Sequence, residues 1–554
     1  MSFANLPVKK FDRFINRPLY AISLLLGLFL IYRTSLLILH AFPFNSDEAI
    51  VGLMAKHILS GERPLFFYGQ VYMGSLDAFL VALAFKIFSE SVIVIRLVQS
   101  VLFFLSVLTI YLFAIVAFDD RKIAFFSALL LIFSPVNLIL YSTVSLGGYG
   151  EALLIGTLSL FISAKVINHF EVSERVRKEH ILYLFLLGIL TGLGLWVNAI
   201  SLTFCIPSIL IIGIYLIKHR NFQIKIVEVV ISVTGYLVGF ALGSYFWWSS
   251  FLASKNFSLL SELTGSAVSV EQNGYIQQLG QHLLSFFLFG PTVMFGLRPP
   301  WDIKIILPFM APVIILFWLI VMINFFRKWN NLSKRYQLFF SGLIGIGLFQ
   351  FLGYVFTSFG VDPSGRYFLP FYIPLSIIAA YGLVSIQPRW IVRILFSFVL
   401  LFNLLGVLTL ALKPPFLTTQ FYAPAQVDQR SMSDLIEFLE TNGEFSGYSN
   451  YWVSYPLIFL SDERIISIPV LPYHNDLRYS PRDNRIPDYN TFVDEQERAF
   501  YITTNNPPLD QLLNQKLIQN HILFRYEEIG DFHIYFDLSN KISPTELGLY
   551  GSYK

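Results

Sequence analysis

The feature that most constrains this chain is a series of long apolar runs. A helix needs about 20 mostly apolar residues to cross the hydrocarbon core of a bilayer, and about eleven runs reach or approach that length. The sequence therefore predicts a mainly α protein, a polytopic bundle of transmembrane helices. The predicted crossings are 20–40, 93–118, 123–141, 152–166, 181–197, 202–217, 229–247, 305–325, 336–356, 367–383 and 391–412.

The composition supports a membrane protein and narrows the classes of function. Charged residues make up 14% of the chain, whereas a soluble globular protein has about 25%. The net charge of +3 is small and dispersed, which argues against nucleic acid as a partner. The single cysteine, Cys205, excludes an intrachain disulfide and a thiol-rich metal site. The first apolar run is long enough to remain as an uncleaved anchor.

The run 76–88 is apolar but short, and it carries Asp77 and Lys86. An amphipathic helix in the membrane interface explains it better than a crossing. Charge asymmetry supports this choice, because Lys and Arg in short loops collect on the cytoplasmic side. If 76–88 does not cross, the N-terminus and every basic cluster are cytoplasmic. These clusters are Lys9, Lys10, Arg13 and Arg17; 119–122; Arg175, Arg177 and Lys178; Lys218 and Arg220; Arg327, Lys328, Lys334 and Arg335; and Arg389.

The same orientation places five regions on the outer side of the membrane. They are 42–92, 142–151, 248–304, 359–366 and everything from 414 onward. We expect the protein in the cytoplasmic (inner) membrane of a prokaryote, with a cytoplasmic N-terminus and an extracytoplasmic C-terminal domain.

The composition changes after residue 413, where the long apolar runs stop and charged residues become frequent. This change predicts a transmembrane domain at 1–413, whose first outer loop is 42–92, and a small extracytoplasmic α/β domain at 414–554. Within the second domain the sequence predicts helices at 433–440 and 509–517, strands at 451–460 and 499–503, and a hairpin of 523–529 with 532–537.

Two outer regions hold the candidate catalytic carboxylates. Asp47 and Glu48 follow the first crossing, and Ser46 before them also fits an ordinary helix N-cap with acids in the first turn. Glu151 follows the glycine-rich turn 145–150, where small residues let a substrate approach closely. At the start of a helix it also fits a partner of the helix dipole. Both interpretations stay open for each acid.

Cations are predicted on the same face. Arg96 begins the second crossing, Arg298 lies at the outer interface, and Arg366 with Tyr367 precedes another crossing. An arginine at a helix end is most often a snorkelling anchor, so each also has that interpretation. Arg33 falls well inside the first crossing, and we expect it to pair with an acid or a backbone carbonyl of the bundle.

In combination, these pieces resemble the C-type membrane glycosyltransferases (GT-C), especially the protein O-mannosyltransferase and aminoarabinose-transferase branch. The chain lacks the Trp-Trp-Asp motif of oligosaccharyltransferases. It reads Gln-Val-Tyr-Met-Gly at 70–74, where the aminoarabinose branch carries Glu-Lys-Pro, so donor or phosphate recognition is expected to differ from that branch. The matching pieces, in chain order, are Asp47-Glu48, Arg96, the basic turn 119–122, Glu151, and Arg-Tyr-Phe-Leu-Pro at 366–370.

The resemblance implies an inverting transfer of a sugar from a polyprenyl-phosphate-linked donor to an acceptor hydroxyl on the outer face. Asp47 is the candidate base. Glu48 and Glu151 are further catalytic candidates, which would orient the sugar, raise the basicity of Asp47 or hold a divalent cation. The donor-phosphate candidates are Arg96, Arg298, Arg366 and Tyr367, and the substrate-binding candidates are Tyr72 and Tyr149.

No cofactor is required by this scheme, and no residue is assigned to a metal, although a divalent cation is compatible with it. The expected partners are the lipid bilayer, the lipid-linked donor and an acceptor that is a glycan, a lipid or a protein. The main alternative function is a transporter or a protein that translocates a lipid-linked glycan. The absence of an internal repeat, the long acidic first loop and the added C-terminal domain argue against it. A non-catalytic scaffold is the second alternative.

Overall fold

The computed structural model describes residues 15, 17–172, 178–218, 226–254, 275–357, 360, 362 and 364–549. Of the residues used to predict orientation, Lys9, Lys10, Arg13, Arg175, Arg177 and Arg220 lie outside these ranges. The helices before residue 414 are α1 (Pro18–Ile38), α2 (Ser46–Leu59), α3 (Leu76–Ile87), α4 (Val92–Phe118), α5 (Arg121–Ile132), α6 (Val136–Tyr141), α7 (Tyr149–Val172), α8 (Lys178–Val197), α9 (Leu202–Lys218), α10 (Ile226–Gly243), α11 (Tyr245–Ser254), α12 (Tyr275–Met294), α13 (Ala311–Arg327), α14 (Lys334–Phe356), α15 (Tyr372–Ser385) and α16 (Arg389–Ala411).

The described helices form a polytopic membrane bundle. Eight of them are long and apolar enough to cross a bilayer, and α10 and α13 are apolar but shorter. The predicted multi-pass helical fold is therefore confirmed, while the count of about eleven crossings and their orientation stay predictions. The eight are α1, α4, α7, α8, α14, α16, α9 with the short turn before it, and α15 with the 3-10 turn Arg366–Phe371 before it.

One predicted crossing, 123–141, is broken into two helices. α5 ends at Ile132 and α6 begins at Val136, directly after Pro135. Proline has no backbone N–H, so a helix that continued through it would lose a hydrogen bond and meet a steric clash. The Asn403 side chain donates to the Phe133 carbonyl at 2.8 Å, which satisfies a group that the break leaves without a helical partner.

One long helix before residue 414 was missed by the sequence prediction, which placed only an outer stretch at 248–304. α12 has 20 residues, but Gln277, Gln278 and His282 interrupt its apolar run. His282 is nevertheless buried, and its ring lies 2.9 Å from the Val355 carbonyl oxygen at the end of α14. Polar residues lower the mean hydropathy of such a helix, so a hydropathy criterion misses it even though the bundle supplies their hydrogen-bond partners.

Residues 42–92, which the sequence predicts to lie on the outer side and which are called the first outer loop below, form a folded segment. It contains α2, a short hairpin of β1 (Phe66–Phe67) and β2 (Gln70–Gly74), and α3. α3 has 12 residues, which is too short to cross a bilayer. A helix at the predicted place is therefore confirmed, and its position at the membrane interface stays a prediction.

Residues 414–549, called the C-terminal unit below, form an α/β structure, as the sequence predicted. Its strands are β3 (Ser446–Ser449), β4 (Ile466–Pro469), β5 (Phe500–Thr503), β6 (Arg525–Ile529) and β7 (Phe532–Phe536), in the order β4-β3-β5-β7-β6. β3 runs parallel to β4 and β5, whereas β7 runs antiparallel to β5 and β6. The helices are α17 (Met432–Thr441), α18 (Tyr451–Leu460), α19 (Asp488–Glu495) and α20 (Pro507–Gln519).

The strand predicted at 451–460 is wrong, because these residues form α18. A short run that is apolar on every side carries no periodicity that separates a buried helix from a buried strand. Asn450 starts the helix, since its side chain accepts the Trp452 backbone N–H at 2.9 Å. α18 packs against α2 on one side and β4 on the other, which accounts for its burial.

The first outer loop and the C-terminal unit share one apolar core. The Phe459 ring of α18 lies 5.4 Å from the Phe44 ring and 6.3 Å from the Phe85 ring, measured between centroids. A Cβ added to Gly52 of α2 would lie 2.5 Å from the Phe459 ring, so the two helices are in close contact. The sheet of the C-terminal unit is therefore fixed against the loop that carries the candidate acids, and a domain boundary at 413/414 stays a prediction.

Candidate active site

Asp47 lies in the first turn of α2, at the junction of the first outer loop and the C-terminal unit. The sequence interpretation of Ser46 as the N-cap is wrong, because the cap is Asn45, whose side chain accepts the Glu48 N–H at 3.0 Å. Asp47 itself is half-buried. Its Oδ1 accepts a hydrogen bond of 2.5 Å from the Tyr451 hydroxyl, and its Oδ2 accepts none from the described residues. The carboxylate is thus fixed at one oxygen and open at the other.

Glu48 and Arg96 bind each other. The Glu48 carboxylate is fully buried, and its two oxygens accept hydrogen bonds of 2.8 Å from Nε and Nη2 of Arg96. Arg96 also donates to the Pro43 carbonyl at 3.3 Å. A bidentate pair of this kind is the strong form of a charged hydrogen bond. It joins the start of α2 to the start of α4 and holds the backbone on which Asp47 sits.

Glu151 begins α7 beneath the glycine turn and is 2% exposed. Neither of its oxygens has a clear hydrogen-bond donor among the described residues. It lies beside the carboxyl group of Asp77 on α3. Asp77 accepts hydrogen bonds from Gln99 at 2.8 Å and from Ser145 at 2.5 Å, and burial raises the pKa of Asp77. Ionising both of two carboxyl groups this close in a buried place has a high free-energy cost, because the two negative charges repel each other.

Three tyrosines proposed from the sequence line one cavity of about 140 Å³. Tyr72 comes from the hairpin, Tyr149 from the start of α7 and Tyr367 from the 3-10 turn before α15. Asn198, Gln350 and Tyr354 are among the other residues of its wall.

The glycine turn is what brings Tyr149 to this place. Gly147 and Gly148 have φ angles of +79° and +82°, where a side chain is strained. A Cβ on Gly148 would also lie 2.9 Å from the Val197 carbonyl oxygen. The turn is therefore packed tightly against the end of α8. Tyr149 is close enough to Asp47 and Arg366 to interact with their charges.

Arg366 lies beside this cavity, and its guanidinium is 5.5 Å from the centre of the Tyr367 ring. Its Nε donates to Asp362 at 2.5 Å. Burial acts to raise the pKa of Asp362, but Arg366 and the Ser364 N–H and hydroxyl outweigh it and hold that pKa below its usual value. The Arg366 side chain remains 37% exposed, against 9% for Arg96, so of these two arginines it is the more accessible to a ligand.

Arg298 is buried after α12, and the hydrogen bonds described for it stay in its own segment. Its Nε donates to Thr292 at 3.1 Å and its Nη1 to the Pro299 carbonyl at 3.0 Å. It lies near Tyr354, at the wall of the cavity. The structure therefore brings Asp47, Tyr149 and Arg366 together, and hydrogen bonds within its own segment hold Arg298 near the wall of the same cavity.

Arg33 behaves as the sequence predicted. It is 3% exposed within α1, and its Nη1 donates to the Ile139 carbonyl at 3.0 Å and to the Thr143 hydroxyl. The Ser142 hydroxyl accepts from Nη2 at 2.5 Å. The buried arginine thus ties the first crossing to the end of α6, just before the glycine turn.

Sequence reasoning missed the contribution of the C-terminal unit to this site. Tyr451 falls in the run 451–460 that the sequence predicts as a strand, and no sequence pattern points to Arg485. Both lie near Asp47. No local pattern reveals a contact between residues 404 positions apart. Among the described residues, no group of three or more His, Cys, Asp or Glu side chains could hold a metal ion.

Comparison with known proteins gives one clear result. No protein-family model and no curated protein matches the sequence. The structure is similar to that of ArnT, an aminoarabinose transferase, from Cupriavidus metallidurans bound to undecaprenyl phosphate, with a TM-score of 0.57 and 10% identity over 97% of this chain and 99% of that one. This chain has the ArnT fold. The GT-C fold expected from the sequence resemblance is therefore confirmed.

Two further solved structures are similar. ArnT of the same organism in the apo state gives a TM-score of 0.52 at 11% identity, over 95% of this chain and 99% of that one. The oligosaccharyltransferase of Archaeoglobus fulgidus, in complex with Zn and sulfate, gives a TM-score of 0.44 at 12% identity, over 89% and 69% of the two chains. The similarity to the oligosaccharyltransferase is too weak to support an inference. At such identities the ArnT likeness shows the fold, and function has to be argued from the site.

Proposed function

We propose that this protein is an inverting glycosyltransferase that moves a sugar from a polyprenyl-phosphate-linked donor to an acceptor hydroxyl on the outer face of the membrane. One observation carries the proposal. Asp47 has one oxygen fixed by a donor and the other without a partner among the described residues, next to a tyrosine-lined cavity with an accessible arginine. The likeness to ArnT, which was solved with undecaprenyl phosphate, supports the donor class.

Asp47 is the proposed general base. Its open oxygen takes the proton of the acceptor hydroxyl as that oxygen attacks the anomeric carbon. A new glycosidic bond forms, the bond from the anomeric carbon to the phosphate oxygen breaks, and the electron pair leaves with the polyprenyl phosphate. Because the attack is direct, the configuration at the anomeric carbon is inverted.

Arg366 is the proposed cation for the leaving phosphate. Charge grows on that phosphate in the transition state, and a fixed cation stabilises it there. Arg96 is already bound at two positions by Glu48, and Arg298 is bonded to its own segment. The sugar and its phosphate would be contacted across the cavity by three tyrosines, which are Tyr72, Tyr149 and Tyr367. The Tyr367 ring lies next to Arg366.

Glu48 and Glu151 are assigned supporting roles. Glu48 with Arg96 positions the start of α2, and Glu151 with Asp77 lies behind the glycine turn. Both acids are buried, whereas Asp47 is half-buried. A divalent cation is not required by this scheme, so turnover should persist when a chelator is added.

The test uses the full-length protein in detergent with a panel of radiolabelled polyprenyl-phosphate sugars and a membrane extract as acceptor. Release or transfer of the sugar is compared between wild type and Asp47→Asn. Loss of a general base costs about 10²- to 10⁴-fold in rate, so we expect Asp47→Asn to lose at least about a hundredfold in turnover while its melting temperature stays close to that of wild type.

The matched control is Glu90→Gln, which neutralises another carboxylate of the same outer loop. Glu90 is exposed and 3.7 Å from Lys56, away from the cavity wall. Its turnover should equal that of wild type. Equal turnover of Asp47→Asn and wild type would remove Asp47 from the mechanism. A wild type that binds donors and moves them across vesicles without cleaving them would favour a transporter instead.

A further inference from the structure

The starts of two helices meet at Asp47, one from the first outer loop and one from the C-terminal unit. The Ser46 hydroxyl of α2 donates to the Tyr451 carbonyl of α18, and the Tyr451 hydroxyl donates to Asp47. Asn450 holds Tyr451 in place, since it caps α18 and its amide donates to Thr504 at 2.8 Å. The position of the Asp47 carboxylate therefore depends on a residue of the C-terminal unit.

The direction of this hydrogen bond is set by the charges around it. Burial and the neighbouring Asp47 raise the pKa of Tyr451 well above its ordinary value, so the phenol keeps its proton and Asp47 accepts it in a hydrogen bond. A donor to a carboxylate favours its charged form. It also fixes the side chain, so that Oδ1 is held by Tyr451 and Oδ2 points away from that contact.

Arg485 joins the C-terminal unit to the hairpin of the first loop beside Asp47. Its Nη1 donates to the Gly69 carbonyl at 3.1 Å, and its guanidinium is 5.7 Å from the centre of the Tyr451 ring. The orientation of the Gln70 amide is the one in which both its oxygen and its nitrogen form hydrogen bonds. The oxygen accepts from Arg485 at 2.7 Å, and the nitrogen donates to the Tyr72 hydroxyl.

Gly69 makes this contact possible. It has a φ of +69°, and a Cβ there would lie 2.7 Å from Cδ of Arg485. Any other residue would both strain the hairpin turn and push Arg485 away. A long side chain from residue 485 thus occupies a space kept open in the first outer loop, next to Tyr72 of the cavity wall.

We propose that the C-terminal unit is part of the reaction centre: Tyr451 is a positioning residue that orients the Asp47 carboxylate through its hydroxyl, and Arg485 holds the Tyr72 hairpin at its correct distance. This inference rests on the proposed function and names residues that it does not include. The alternative is that Tyr451 and Arg485 only pack the two parts together.

A pH profile separates these alternatives. In Tyr451→Phe the ring stays packed, but the charged carboxylate of Asp47 loses the hydroxyl that donates to it and holds it in place. We expect kcat to fall about tenfold or more, KM for the donor to change less, and the acidic limb of kcat/KM to move to higher pH by about one unit. A residue that only packs would lower stability without moving this limb.

The charged and titratable groups that face Asp47 are Tyr149, Tyr451, Tyr473, Asp483 and Arg485. Asp483 needs its own control, because burial raises its pKa to about 7 and its titration would overlap the limb. Asp483→Asn is therefore measured in parallel, and the shift caused by Tyr451→Phe should persist in the Asp483→Asn background.

Two further variants bracket the test. Tyr489→Phe removes another buried hydroxyl that binds a carboxylate of this interface, Glu463, at 3.0 Å, and should leave the pH profile and kcat unchanged. Gly69→Ala displaces Arg485 from the side of the first loop and leaves the C-terminal unit intact. It should lower kcat several-fold even if Tyr451→Phe folds poorly.

The result that overturns the inference is a Tyr451→Phe protein with the kcat and acidic limb of wild type, together with a Gly69→Ala protein of normal kcat. A double-mutant cycle of Asp47→Ala with Tyr451→Phe, read by melting temperature, removes the acceptor and the donor in turn and needs no turnover. If wild type uses no lipid-linked donor but the cycle shows coupling, the proposed function fails while the contact stands. If there is turnover but no coupling, the inference fails alone.

Discussion

Asp47 and Glu151 each lie in the first turn of a helix, yet their surroundings differ. Asp47 is half-buried, accepts one hydroxyl and keeps an oxygen without a described partner. Glu151 is 2% exposed, has no clear donor on either oxygen and lies beside Asp77. Burying a carboxylate without donors is costly when it is charged. A shared position at a helix start therefore does not give the two acids the same chemistry.

The difference teaches that access and donors, not position in the sequence, select the base. In the proposed mechanism, the Asp47 oxygen without a described partner receives the proton of the acceptor hydroxyl. Glu48, its immediate neighbour, is fully buried and bound by Arg96 at both oxygens. Three acids that look alike in the sequence are thus assigned three roles: one base, one structural ion pair and one buried carboxyl pair.

The largest effect on stability is expected from Glu48→Gln. It leaves the buried Arg96 charge without its partner, and breaking such a pair costs about 3–5 kcal/mol. The melting temperature should fall sharply, measured in detergent by intrinsic fluorescence. Glu48→Gln with Arg96→Met removes both charges and should regain most of the loss. A melting temperature unchanged in the single variant would show that the pair does not hold α2.

Glu151→Gln should have a smaller effect and sharpens the comparison with Asp47. The amide keeps the shape of the side chain and supplies an N–H that the adjacent Asp77 can accept. We expect the melting temperature to stay level or rise, and turnover to fall less than about tenfold. The scheme with Glu151 as a catalytic residue predicts a loss as large as that of Asp47→Asn, so the ratio of the two rates decides between them.

The smallest effect concerns the contact between α2 and the C-terminal unit at His57, whose Nε2 lies 3.2 Å from Glu463. Burial acts to lower the pKa of His57, but Glu463 and Glu62 outweigh it and raise that pKa. A raised pKa in the folded state gives stability that is complete below the unfolded value and is lost as pH rises through the folded one. His57→Gln should therefore lower the melting temperature at about pH 6 and hardly at all at about pH 9.

The control for this prediction is Arg464→Met, since Arg464 pairs with Glu440 at 2.5 Å in the C-terminal unit. No histidine takes part in this pair, so the effect of the variant should be the same at about pH 6 and about pH 9. The ion pair of His57 and Glu463 also loses its stabilising effect at low pH. The pKa of Glu463 is lowered, and the stability that this group contributes is lost as pH falls through that pKa.

The sequence by itself predicted the membrane bundle, the short helix at 76–88 and the α/β nature of the C-terminal unit. These features depend on local properties: the length of an apolar run, the charges between runs, and turn residues such as the glycines before Tyr149. The prediction failed at two places where the local sequence carries no distinguishing pattern. The all-apolar run 451–460 forms a helix instead of a strand. At Pro135 the predicted crossing is broken, and the distant Asn403 stabilises the break.

Only the tertiary structure decided which acid is open and which residues complete its surroundings. Exposure of Asp47, burial of Glu48 against Arg96 and pairing of Glu151 with Asp77 all depend on which elements pack together. Tyr451 reaches Asp47 from 404 residues away because α18 and α2 share a core. Contacts between such distant residues are set by packing of whole elements, and no spacing within one segment encodes them.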